Sequence, residues 1–157
     1  MTKEEIQRIK PLMRQYTGTK TIKAVPMSRG EYNKLRDWEV HSNEDSNEEG
    51  YLVEYEPEGN PNVEGFEGYI SWSPYKPFDK AYKISATPQD RLRNEMRELY
   101  RKIADIDASC RTEDRDNFFY QLNKIQLNAM KSYYSCLAAR WTQLYGWDSN
   151  PARYKSL

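Results

Sequence analysis

GYLVEYEPEGNPNVEGFEGYISWSPYKPFDKAYK, residues 50–83, alternates at two places. Tyr51, Val53 and Tyr55 interleave with Leu52 and Glu54, and Tyr69, Ser71 and Ser73 interleave with Ile70 and Trp72. A period of two in aromatic and β-branched residues marks strands whose two faces differ. Gly59, Asn60, Pro61 and Gly65 lie between the runs and supply turn conformations. The stretch therefore predicts a β-hairpin with a long polar connection. Pro74 biases Ser73 away from helix and closes the second strand, after which PYKPFDKAYK predicts a short helical or turn segment.

Upstream, TKTIKAVPM (19–27) predicts another strand, with Ile22 and Ala24 opposite Thr21, Lys23 and Val25. Ser28 and Glu31 have capping-box spacing and open a short helix, RGEYNKLRDW, expected to offer Tyr32, Leu35 and Trp38 to the sheet. Thr2 and Glu5 repeat that spacing before Ile6, Ile9, Leu12 and Met13, and Pro11 ends or kinks that helix. The acidic run 39–49 holds the sole histidine, His41, and predicts a solvated loop.

The rest of the chain changes period. Thr87 is the expected N-cap of a helix with Pro88 in its first position and Asp90 in its first turn. Leu92, Met96, Leu99, Ile103, Ile106 and Cys110 follow at steps of three and four, the seam of a helix pair. A polar turn is expected over 109–114. On the next helix Phe119, Leu122, Gln126, Met130, Tyr133, Leu137 and Leu144 form one stripe, which Phe118, Ile125, Ala129 and Cys136 widen beyond what one helix covers. Gly146 fits the C-cap position, and a turn-rich tail follows. The expected class is α+β: a small antiparallel β-module with a short helix, then a long antiparallel helical hairpin. The segments are 1–17, 18–86, 87–146 and 147–157.

In a 157-residue chain only 38% of residues are apolar, yet 13% are aromatic, 13 of them Tyr. Such a chain puts its aromatics into the core or shares them with copies of itself, so a homo-oligomer is expected. There is no long apolar run and no hydrophobic leader in MTKEEIQRIK, which predicts a cytosolic protein without a membrane partner. Cys110 and Cys136 lack metal-ligand spacing and read as small buried side chains on helices. Net charge is zero, but residues 1–86 carry 12 basic and 15 acidic groups and residues 87–157 carry 12 and 9. Eight of twelve arginines lie in the second part, a bias that suits phosphate and falls short of a duplex nucleic-acid stripe.

Phosphate-loop, dinucleotide, nucleophile-elbow and zinc-protease motifs are all missing from the sequence, and one histidine cannot form a paired-histidine phosphodiesterase site. Asp105 and Asp107, and Glu113, Asp114 and Asp116, read as helix-end and turn carboxylates rather than metal ligands. No enzyme, metal or cofactor is expected. Recognition chemistry remains. Arg91, Arg97 and Arg140 are candidates for holding phosphate, with Trp72 and Phe78, or Phe119, Tyr133 and Trp141, as stacking surfaces for a base. Salt bridging competes for the arginines, because Arg91–Glu95, Glu98–Lys102 and Arg101–Asp105 are four apart. Arg97 has no carboxylate four residues away, and Arg140 between Leu137 and Trp141 reads as semi-buried and in need of an anion.

YLVEY (51–55), NPN (60–62), GYISWSP (68–74) and FDKAY (78–82), preceded by GTKTIKAVPMSRGEYN (18–33), resemble a small β-module of uncharacterised phage proteins. DRLRNEMRELYRKIADID (90–107) and QLNKIQLNAMKSYYSCLAARW (121–141) resemble the two-helix segment that follows it in some of them. Together, over residues 18–144, they are similar to the phage Thoeris and CBASS anti-defence sponges. That resemblance implies non-catalytic sequestration of a cyclic-nucleotide or cyclic ADP-ribose-type signal in the host cell cytoplasm. A protein-interaction or virion-associated module is the alternative.

Overall fold

The computed structural model describes residues 7–8, 10–13, 18, 20–39, 43–55, 60–112 and 114–154. The Thr2–Glu5 capping box, His41 and Gly59 lie outside them. The chain is α+β and divides into two compact units, one ending at Ala81 and the other starting at Tyr82.

The first unit is built on an antiparallel sheet of β1 (Lys23–Pro26), β2 (Gly50–Tyr55) and β3 (Tyr69–Pro74), in that spatial order. β2 and β3 pair as the alternation requires, Leu52 opposite Trp72 and Glu54 opposite Ile70. Leu52, Ile70 and Trp72 thereby share one face with Tyr32 of α1 (Arg29–Leu35), joined by Met27, Val63 and Phe66. On the other face Val53 is fully buried, and Tyr51 stacks on Phe78 of α2 (Tyr75–Ala81) at 3.9 Å between ring centroids. β1 is exposed along its length, as an edge strand.

Side chains complete this small sheet. Asn62 donates to Ile70 O at 2.9 Å and accepts from Ile70 N at 2.8 Å, doing for β3 what a further strand would do. Glu54 Oε1 accepts from Glu67 N and Gly68 N and so anchors the return of the long loop. The Trp72 indole donates to Met27 O at 2.9 Å, and Arg29 lies 4.9 Å above its ring.

The Ser28–Glu31 capping box forms as expected. One expectation beside it is corrected. Residues 43–49 form a largely exposed loop, as expected, and it is tied to α1: Arg29 N donates to Glu48 O, Gly30 N to Ser46 O, and Glu44 holds Arg29 at 2.6 Å and Asn33 at 3.1 Å. The loop carbonyls thus satisfy N–H groups that a helix start leaves unpaired. Leu35 and Trp38 are exposed rather than turned to the sheet, because α1 stops at Leu35 and Asp37 takes a left-handed φ of 53°.

The second unit pairs α3 (Pro88–Thr112) with α4 (Phe118–Tyr145). Thr87 caps α3 reciprocally, its hydroxyl accepting from Asp90 N, while the Asp90 carboxylate accepts from the Thr87 hydroxyl and from Thr87 N, and these two bonds hold the Asp90 carboxyl below its ordinary range. Leu92, Met96, Leu99 and Ile103 are buried as the seam predicts. α3 runs past the expected turn to Thr112, and Asn117 caps α4 by accepting from Phe119 N.

The inward face of α4 is the main departure from expectation. Leu127, Tyr134, Leu137 and Trp141 are buried, whereas Phe118, Phe119, Leu122, Ile125, Tyr133 and Leu144 are 44–70% exposed. The helix has two apolar faces of similar strength, and the one carrying Trp141 packs on α3. Cys136 is exposed and Cys110 half-buried, against the expectation that both are buried.

Gly146 takes the C-cap with φ 84°, and the segment beyond it folds back on α4. Buried Asn150 donates to Ala138 O and Thr142 Oγ1 and accepts from Ala152 N, and Ala152 packs on the core. Among the described residues no helix is long and apolar enough to cross a membrane.

Candidate ligand groove on the helical hairpin

Tyr100, Ile103, Ala104, Asp107, Ala108 and Arg111 recur at three- and four-residue steps, so they share one flank of α3 beside its buried seam. Ala104 and Ala108 have little side chain, and they leave a groove of about 320 Å³ closed by Lys131. That volume lies at the small end of ligand sites. Asp107 pairs with Arg111 one turn away. A guanidinium carries five N–H donors, so this pair leaves part of the Arg111 fork available. Two cations against one carboxylate favour an anion, and Tyr100, tilted against buried Tyr134 at 6.0 Å, adds an aromatic surface. The groove thus joins groups suited to phosphate and to base stacking between the two helices.

A second cavity of about 370 Å³ lies in the sheet unit between Pro26, Met27, Gly50, Tyr51 and Tyr75, with Ser28, Glu31 and Glu49. Hydrogen bonds from the Ser28 backbone N–H and hydroxyl lower the Glu31 pKa. Two carboxylates and no cation make this cavity unsuited to phosphate.

The candidate residues read from the sequence lie apart. Trp72 has its indole N–H and one ring face engaged, and Phe78 is stacked on Tyr51. Arg91 donates to Ser85 O at 2.9 Å and Ala86 O at 3.4 Å, so the expected pair with Glu95 does not form. Glu95 instead accepts from the Tyr133 hydroxyl, and this raises the Tyr133 pKa. Arg101–Asp105 and Lys102–Glu98 do pair. Arg97 is exposed, with no ion pair or hydrogen bond to its guanidinium among the described residues. Arg140 is exposed rather than semi-buried, because it lies on the outward face of α4, near enough for its charge to act on Tyr133.

Phe119 is fourteen residues from Tyr133 on the same helix, about 21 Å at 1.5 Å per residue, so the two rings form no single platform. Trp141 is wholly buried, its N–H on Ser149 Oγ and Arg93 5.3 Å from its ring. Among these candidates the one interaction shown is the electrostatic effect of Arg140 on Tyr133, two turns away on the same helix, and none of them lines the groove. Reasoning from the sequence missed Tyr100, Arg111 and Lys131; the signal was the Ala104–Ala108 gap one turn before Arg111.

Among the described residues no cluster of three or more His, Cys, Asp or Glu is arranged to hold a metal ion. No protein-family model matches the chain, and no curated protein and no solved structure shows significant similarity to it.

Proposed function

We infer that the chain is a non-enzymatic protein of phage origin that sequesters a nucleotide-derived second messenger, of the cyclic-oligonucleotide or cyclic ADP-ribose type, in the host cytoplasm as a homo-oligomer. The observation that carries this reading is the groove lined by Tyr100, Arg111 and Lys131, which offers two cations and an aromatic ring around about 320 Å³ of open space. The sequence resemblance to anti-defence sponges supports the same chemistry. Nanomolar retention takes about 12 kcal/mol, so phosphate and base both need contacts.

Native mass spectrometry of the protein with cyclic di- and trinucleotides and cyclic ADP-ribose isomers tests the reading. A retained complex is expected with at least one of them. Lys131→Glu reverses a groove charge and should weaken it about 10- to 100-fold, the worth of a charge-assisted hydrogen bond, whereas Arg91→Ala, outside the groove, should leave it unchanged. Absence of any complex at micromolar protein would sink the reading. The exposed apolar face of α4 favours a second reading, a protein-interaction or virion-associated module, which predicts no nucleotide complex at all.

A further inference from the structure

The outward face of α4 repeats Phe118, Leu122, Ile125, Ala129, Cys136 and Arg140 at steps that keep them in one line, flanked by Phe119, Tyr133 and Leu144. The six large apolar members are 44–70% exposed. At 150–200 Å² per side chain they leave on the order of 600 Å² of apolar surface in water, the upper end of what a monomer shows. With Ala129, Cys136 and the Arg140 stem included, the strip approaches the roughly 800 Å² per partner of a stable interface.

Charge selects the occupant. α4 has no carboxylate from Phe118 to Tyr145, and the charge on its outer line is Arg140, at one end. Beyond the other end, the turn before Phe118 carries exposed Asp114 and Asp116, net negative despite Arg115. A parallel copy would set Arg140 against Arg140. An antiparallel copy centred on Ala129 sets Arg140 against Phe118 and the acidic turn of its mate at both ends of the seam. It also sets Leu122 against Cys136 and Ile125 against Tyr133, and the small Ala129 meets itself where the helices come closest.

We propose that the outer face of α4 is the homodimer interface, two copies pairing antiparallel about a twofold axis at Ala129. The arrangement rests on this face alone and holds whether or not the groove binds a nucleotide. Light scattering of the full chain at micromolar concentration should give twice its 18.7 kDa mass, and Ile125→Glu, at an exposed position, should raise the dissociation constant about thirtyfold or more with the circular dichroism spectrum kept.

Cross-linking reads the direction. In a Cys110→Ser background, Ala129→Cys should form a covalent dimer with a short bis-maleimide, and Leu122→Cys should join native Cys136 of its mate. Native Cys136 alone should not cross-link, because two copies stand about 21 Å apart along the antiparallel seam. A monomer, an Ile125→Glu protein that still dimerises as tightly, or cross-linking through Cys136 without cross-linking at Ala129→Cys would each overturn the proposal.

Discussion

Gly50 opens β2 directly beneath the Trp72 indole. A Cβ built there collides with Trp72 Cζ2 and lies 2.5 Å from Ser73 O, closer than atoms approach without one moving. The carbonyl belongs to the paired strand and cannot swing away, and the indole is tied by its N–H to Met27 O. Gly50→Ala must therefore displace the ring or open the ladder. Overpacking costs about 1–3 kcal/mol. Loss of the indole hydrogen bond adds about 0.5–1.5 kcal/mol. The stiffer unfolded chain returns about 0.4–1 kcal/mol, so the net loss lies between about 0.5 and 4 kcal/mol and centres near 2 kcal/mol. Because the chain has two units, the assay should read the sheet alone: amide hydrogen exchange of β2 and β3 under native conditions. Exchange there should speed up on the order of 30-fold while α3 and α4 amides keep their rates. Protection of β2 and β3 unchanged within a factor of two would show that the Trp72 contact is slack and the reasoning wrong.

Asn150→Ala removes three hydrogen bonds and should cost the helical unit about 2–4 kcal/mol, read as faster exchange at the C-terminal end of α4; a loss under 0.5 kcal/mol would mean that the tail contributes little. Acid should destabilise both units. Hydrogen bonds from Thr87 lower Asp90, those from Ser28 lower Glu31, and Lys102 lowers Glu98, so each carboxylate stabilises the fold above its ordinary pKa and that contribution is lost as pH falls through the lower folded value. Melting temperature should fall as pH drops through and below the ordinary carboxylate range of about 4, and less steeply in Thr87→Ala and Ser28→Ala; a flat profile, or unchanged slopes in both variants, would contradict these assignments.

The hairpin was legible because one face of Leu52, Ile70 and Trp72 is buried and fixes the period, and the α3 seam was legible because the hydrophobic positions that pack are its only strong ones. α4 was not. Leu122, Ile125 and Tyr133 recur as regularly as Leu127, Tyr134 and Trp141, and periodicity alone does not say which face meets α3. Arg140 was misplaced by the same ambiguity, since its neighbours Leu137 and Trp141 point inward while it does not. For Arg91 the spacing leaves phosphate binding and a pair with Glu95 both open, but carbonyls of the segment before α3 take its guanidinium and Tyr133 takes Glu95. The groove escaped notice because it is defined by what Ala104 and Ala108 lack.

Sequestration, as opposed to breakdown, is tested most directly by what the protein returns. The protein is loaded with a signalling nucleotide that it retains in native mass spectrometry, held for hours, then denatured by heat, and the supernatant is analysed by liquid chromatography with mass detection. The account predicts full recovery of the intact cyclic nucleotide. Linearised or hydrolysed product, growing with time and lost in a heat-killed control, would contradict it.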